Sequence, residues 1–334
     1  MKKILTTTAT AVSLALCSFV ANAADFKPAV AYDSSGKFDK SFSQAVYQNG
    51  VIKFTEQTKI DVREFVPAND AQREQGLERL ARRGFSPIVV VGFMYGSALT
   101  KVAKKHPDTE FVIIDAVVDL PNVKSLVFKE HEGSFLVGAL AAMKSESHKV
   151  GFVGGMDIPL IRKFACGYEQ GAKYISKDTE VFQNMTGSTN AAWSDPARGA
   201  ELTKSQFTKG ADVVFAAAGG TGVGVYQAAK DEGKFAIGVD SNQNYLHPGV
   251  MLTSMVKRVG LATFEVFTAA EGGTFTPGID ARGLKENGVG WTIDEHNRDL
   301  VTAEMETKIG EISAKIVAGE IKVHDYMADN SCKY

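Results

Sequence analysis

The sequence predicts an α/β protein built as two lobes, each a doubly wound parallel sheet covered by helices. Three observations carry this. Strand-like and helix-like segments alternate along the chain, the pattern of parallel strands joined by crossover helices. The alternation restarts near 145–148, giving two runs of similar size. A chain of about 310 residues, once a leader is set aside, exceeds what one hydrophobic core organises.

The leader is residues 1–23. Lys2 and Lys3 form a basic start, an apolar run extends over 9–20, and Ala21-Asn22-Ala23 is an A-x-A cleavage signal. The run is too short and too broken by Ser and Thr to span a bilayer. Cleavage after Ala23 exports a soluble protein to the periplasm. Lipid anchoring on Cys17 is the alternative; it is disfavoured because Leu16 stands where lipoprotein processing takes a small residue. With 37 basic and 39 acidic residues the chain is weakly acidic. It has no broad basic field for nucleic acid or anionic lipid.

The elements follow in order. In the first lobe, strands are expected at 29–33, 62–66, 87–91, 110–115 and 123–128, and helices at 44–57, 71–83, 97–105 and 134–144. Leu77, Leu80 and Ala81 recur at helical spacing. Asn69 and Asp70 are cap candidates for that helix, because their side-chain oxygens accept orphan amides. In the second lobe, strands are expected at 149–153, 179–185, 213–215 and 235–239, and helices at 160–175, 196–208 and 225–230. Asp195-Pro196 opens the helix reaching 208, with proline in the first turn where its missing amide matters least. Strands at 251–256 and 288–293 and helices at 261–270 and 300–317 complete the chain. The first lobe is therefore 24–147 plus about 258–290, and the second 148–257 plus about 291–334.

Ligands of such sheets bind beyond the carboxyl ends of strands, here in the cleft between lobes. Asp33, Asp115 and Asp240 each end a predicted strand. Gly219, Gly220, Gly222 and Gly224 form a turn in which backbone approaches a ligand closely. Phe38 and Phe42 compete for the cleft, and Phe42 is preferred over a role as a hydrophobic staple. Trp193 sits in a polar loop, where an indole is expected to cover something. Lys257 follows a strand; its alternative is a solvated surface charge. Aromatics stack on flat rings, and carboxylates accept paired bonds from vicinal hydroxyls or ring N–H groups. That chemistry suits a heteroaromatic base carrying a sugar and repels phosphate.

Catalytic signatures are missing from the sequence. The six histidines do not fall at metal-ligand spacing, and neither HExxH nor G-x-S-x-G occurs. Gly220-Thr221-Gly222 with Asp240 downstream imitates a dinucleotide fingerprint, but the third glycine is displaced to Gly224 and the unit lies late in the chain. A nucleoside hydrolase would need clustered metal-binding acids, and here the acids are spread over separate strand ends. The expectation is no metal, no cofactor and no enzyme. A sensor module with the same pocket stays open as an alternative. Cys166 and Cys332 are either a disulfide or two thiols, one buried on a helix and one exposed. Their separation does not show that they meet, and the balance is set slightly towards free thiols.

An ordered series of motifs spans nearly the whole chain beyond the leader: DKSFSQ at 39–44, EFVIIDAVV at 110–118 and FKEHEGSFLVGALAA at 128–142. KVGFVGGMDIP at 149–159, ADVVFAAAGGTGVGV at 211–225 and IGVDSNQ at 237–243 continue it. In these the chain resembles the basic membrane protein, or purine nucleoside receptor, family of ABC-transporter substrate-binding proteins. The resemblance implies a type I periplasmic-binding-protein fold, a monomer, a purine nucleoside ligand and an ABC permease as partner. It further implies that Phe42 covers one face of the base, Asp115 holds the base edge, and Asp33 lines the first lobe. Gly220, Asp240 and Lys257 would meet the ribose. Two positions depart from the family pattern. Trp193 stands where the family usually has Phe, and Ser43 where it usually has Asn.

Overall fold

A computed structural model describes residues 26–334 of the chain. The leader and Cys17 lie outside the described residues. The first sheet contains β1 (Ala29–Ala31), β2 (Arg63–Phe65), β3 (Ile88–Val90), β4 (Phe111–Ile114), β5 (Val123–Phe128) and β11 (Gly278–Arg282). Its spatial order is β11-β5-β4-β3-β1-β2. The second contains β6 (Lys149–Met156), β7 (Glu180–Gly187), β8 (Val213–Ala217), β9 (Phe235–Asp240), β10 (Met251–Lys257) and β12 (Val289–Trp291), in the order β12-β10-β9-β8-β6-β7. The two orders are the same arrangement used twice. All neighbours pair in parallel except β10 with β12. The central strands β1, β3, β4 and β8 are buried throughout. That follows from covering both faces of a parallel sheet, which favours continuous apolar runs.

Helices α1 (Phe42–Val46) and α2 (Lys53–Thr58) are joined by a π-helical turn over Tyr47–Ile52. Asp39 starts α1, its carboxylate accepting from the amides of Ser41, Ser43 and Gln44. In α3 (Ala71–Arg82), Asn69 accepts from the Gln72 amide, whereas Asp70 pairs with Arg73 instead of capping. α4 (Gly96–Lys105) packs on α3. Among the described residues, α5 (Glu130–Lys144) and α6 (Pro159–Ile175) form the most extensively packed helix pair. A Cβ on Gly138 would come within 2.0 Å of the Tyr168 carbonyl oxygen, and one on Gly171 within 1.9 Å of that of Phe135. α7 (Pro196–Thr208) is capped by Asp195 and packs on α8 (Gly222–Asp231). α9 (Val259–Glu271) and α10 (Ala303–Val317) follow, the latter capped by Thr302.

The helices are exchanged between lobes. α5 leaves the first sheet but packs against β10 and β12 of the second. Its Gly133 faces the Met255 and Val289 side chains. α9 leaves the second sheet but packs against α1, α2 and the π turn of the first. The chain therefore crosses between lobes at Lys129, at Arg258, and between Arg282 and Gly288. The first crossing lies before α5, not near 145–148 as the composition break implies. One apolar cluster runs through both lobes along these helices, and separate clusters cover the outer face of each sheet.

Cys166 and Cys332 form a disulfide, with Cα atoms 5.5 Å apart; this corrects the leaning towards free thiols. It ties the C-terminal tail to α6, where the Gln170 side chain also bonds both ways with the His324 backbone. A bridge spanning this much chain removes loop entropy from the unfolded state. Cys332→Ser is expected to lower the unfolding free energy by about 2–4 kcal/mol in non-reducing denaturant titrations.

Candidate functional site

Four strand ends deliver a charged side chain to the gap between lobes. Asp33 follows β1, and its carboxylate accepts from the Ser35 amide at 2.9 Å. Asp115 follows β4, and Asp240 closes β9, the matching strand of the second sheet. Both acids adopt the left-handed backbone region, with φ of 68° and 63°. Such residues persist where the surroundings over-determine them, and they gather at ligand sites. Lys257 ends β10 next to Asp240.

One cavity of about 720 Å³, mouth included, lies between the lobes. The structure brings all seven sequence-predicted residues to it: Asp33, Phe42, Asp115, Trp193, Gly220, Asp240 and Lys257. Phe42 turns into the cavity, whereas Phe38 is 67 % exposed and packs edge-on against Tyr47. Trp193 ends a short turn over Asn190–Trp193 after β7. Its indole lies over Gly155, where a Cβ would come within 2.2 Å of the ring. The backbone of Gly219 and Gly220 also packs against Trp193. The glycine turn and Gly155 together make a slot for the indole.

Lys257 is not a solvated surface charge. It is 2 % exposed, and its ammonium lies 2.6 Å from Asp115 and 2.9 Å from Glu130. The rings of Phe42, Phe128 and Phe164 surround it at 5.1–5.7 Å. Burial alone would drive its proton off, but the carboxylates of Asp115, Glu130 and Asp240 reverse this and hold the ammonium charged. Burial likewise works to lift Glu130, yet Lys257 and Lys163 outweigh it and hold that carboxyl at about 2. Burial lifts Asp240 to about 7, opposed by Lys257 and by the Ser41 hydroxyl at 2.6 Å. Burial also raises Asp33, Asp39 and Asp115, with Lys257 opposing it at Asp115. One oxygen of Asp115, Oδ1, is buried without a hydrogen-bond partner.

The lobes touch across the cleft. Besides Ser41–Asp240 and Lys257–Asp115, Gln243 donates to the Lys40 carbonyl at 2.7 Å and Ser241 to the Ser41 carbonyl at 2.8 Å. Asn190 donates to the Ser34 hydroxyl at 2.7 Å on the far rim. Ser43 is buried, and its hydroxyl makes no hydrogen bond. Asp39, Asn190 and Phe164 also line the cavity and were not singled out from the sequence. The signal for Asn190 was its place three residues before Trp193 in the same polar loop. Phe164 sits in an apolar helical run and carries no signal of its own.

The cavity is thus an apolar slot with an aromatic wall from each lobe and carboxylates at its ends. Among the described residues no helix is long and apolar enough to cross a membrane.

The comparisons with known proteins agree with this architecture. The sequence profile of the family described as "ABC transporter substrate-binding protein PnrA-like" matches residues 27–326. The chain is 32 % identical over 322 residues to the CD4+ T-cell-stimulating antigen of Listeria monocytogenes, covering 90 % of this chain and 88 % of that one. It is 30 % identical over 327 residues to the ABC transporter nucleoside-binding protein BmpA of Lactococcus lactis, covering 90 % and 89 %. A solved ABC transporter solute-binding protein from Aeropyrum pernix K1 superposes with a TM-score of 0.82 at 28 % identity, over 89 % of this chain and 92 % of that one. Relatives and fold are those of binding proteins and not of enzymes, which implies a small-molecule ligand and a transporter permease as partner. With its family profile matched from near the start of the described chain almost to its end, this protein belongs to the PnrA-like, or basic membrane protein, family of ABC transporter substrate-binding proteins.

Proposed function

We propose that the protein captures purine nucleosides between its lobes in the periplasm, after removal of residues 1–23, and delivers them as a monomer to the permease of an ABC importer. The observation that carries this is that Phe42 from one lobe and Trp193 from the other line the same cavity, together with Asp33, Asp39, Asp115 and Asp240. Two aromatic faces suit a planar base. The free Oδ1 of Asp115 offers an acceptor to a ring N–H. Asp240, beside Lys257 and the Gly219-Gly220 turn, offers acceptors to vicinal hydroxyls. Ligands bearing phosphate are disfavoured by Asp33, Asp39, Asp115 and Asp240 around a single ammonium. The nucleoside-binding relative from Lactococcus lactis supports the same class.

The test is a thermal-shift and calorimetry panel of nucleosides, free bases, riboflavin and sugars. Purine nucleosides are expected to raise the melting temperature through linkage. Silence from every purine nucleoside overturns the reading, and sustained release of ribose from inosine replaces it with hydrolysis. Asp240→Ala is expected to weaken ribosides far more than free bases. Equal weakening means that Asp240 does not read the sugar.

A pH dependence follows from the same residue. Hydroxyls donate to the ionised carboxylate, so binding draws off the proton that Asp240 holds near neutrality. Riboside affinity should rise by up to about tenfold between about pH 6 and about pH 8, and Asp240→Asn should flatten the profile. In the unliganded protein the sign is opposite. The charged form is disfavoured by burial, so its destabilising share grows from the ordinary 3.8 up to about 7.

A further inference from the structure

A row of buried charges leads away from the cavity into the crossovers between lobes. Lys257 Nζ contacts Asp115 on one side and Glu130 Oε1 on the other, and Glu130 Oε2 lies 2.9 Å from Lys163 Nζ. Lys163, on α6, also donates to the Phe128 carbonyl at 2.7 Å. Glu130 and Lys163 are 0 % and 6 % exposed and do not line the cavity. The four groups carry two charges of each sign, and the partly exposed Asp325 lies beside the outer end of the row, 3.8 Å from Lys163. Phe128 ends β5, Glu130 opens α5, and Lys257 ends β10. The row therefore joins the first crossover to the second.

Buried ion pairs are a poor source of stability compared with apolar packing, so three of them in a row at a pivot call for another role. Their division between lobes supplies it. Asp115 belongs to the first lobe and Lys257 to the second, so opening the cleft stretches that pair. Glu130 and Lys257 both belong to the second lobe, because α5 packs on β10. That pair survives opening.

We propose that Glu130 and Lys163 are positioning residues for ligand capture. Glu130 holds the Lys257 ammonium at the cavity wall whether the lobes are open or shut, and Lys163 holds Glu130. The proposal rests on the nucleoside reading and deepens it, since Lys257 alone is basic among the described residues lining the cavity. Without the Glu130 charge, the ammonium groups of Lys163 and Lys257 repel each other. Lys257 is then driven further onto the carboxylates that the ligand needs.

The experiment compares wild type, Glu130→Gln, Lys163→Met and the double variant by calorimetry with inosine and adenosine. Each single change is expected to weaken binding by about tenfold or more, while the double variant, neutral again, binds at least about fivefold tighter than Glu130→Gln. A purely structural role makes the losses add, so a double variant that binds weakest overturns the proposal. Singles within about twofold of wild type overturn it as well. Should the singles not fold, the double variant decides alone: a loss under about tenfold supports the proposal, and a larger one overturns it. A wild type that binds no nucleoside defeats the ligand reading, not the network. Spin labels at the exposed Ser97 and Lys204, one on each lobe, then read the ligand-free interlobe distance. Glu130→Gln is expected to shift that distance and the double variant to restore it. An unshifted distance overturns the proposal.

Discussion

Lys257→Met lowers the unfolding free energy by about 3–5 kcal/mol, the usual penalty for stranding one half of a buried ion pair. The substitution leaves Asp115 with no cation at bonding distance and Glu130 with only Lys163. Methionine fills similar volume against Phe42, Phe128 and Phe164, so lost packing contributes little. Denaturant titration checks this against Arg198→Met, which removes an exposed pair with Glu201 and should change stability by less than about 1 kcal/mol. A second signature is acid sensitivity. Glu130 is held below its ordinary 4.5, so its stabilising share is complete above that pH and is lost as pH falls towards about 2. Removing Lys257 should move that loss to higher pH. Equal stability of Lys257→Met and Arg198→Met would show that the buried row does not support the fold.

Trp193→Ala weakens nucleoside binding by more than about tenfold, because one stacking face contributes on the order of 1–3 kcal/mol per base. The indole is also packed on Gly155 and the Gly219-Gly220 turn, so a denaturant titration of the variant separates lost stacking from lost local packing. Trp193→Phe should recover most of the affinity. Fluorescence gives an independent reading, since the other tryptophan, Trp291, lies on β12 and outside the cavity. Ligand should quench wild-type emission and leave that of Trp193→Ala unchanged. Unaltered affinity in Trp193→Ala removes the aromatic clamp from the mechanism.

Much of the site was legible because strand ends are. An acid after a continuous apolar run, as at Asp115 and Asp240, has few roles except at a ligand or a cap. The left-handed backbone there is invisible in sequence, because Asp tolerates it without a glycine signal. Lys257 was placed correctly beside the strand end, but its burial was not legible: a lysine next to Arg258 reads as surface, and its counterion Glu130 is remote in sequence. Lys163 lies inside a largely apolar stretch of α6 and Glu130 at the start of α5, and only the first of these is a clue in the sequence. The edge strand β11 was missed because it is short and largely exposed, with no apolar alternation to mark it. The helix at 134–144 begins four residues earlier than its apolar run, since the charged first turn is buried by pairing and not by hydrophobicity. The crossover before it was missed for the same reason: composition marks where a chain becomes polar, not which sheet a helix covers.

The exchange of α5 and α9 has a genetic corollary. A gene cut after codon 147 would yield one polypeptide whose last helix has no sheet beneath it, and another lacking the helix that should roof its own. Neither product is a self-sufficient folding unit, although the repeated strand order makes the molecule look like a tandem duplication. Insertions, fusions or permuted ends are therefore better placed in surface turns such as the one at Gly233 than at the apparent midpoint.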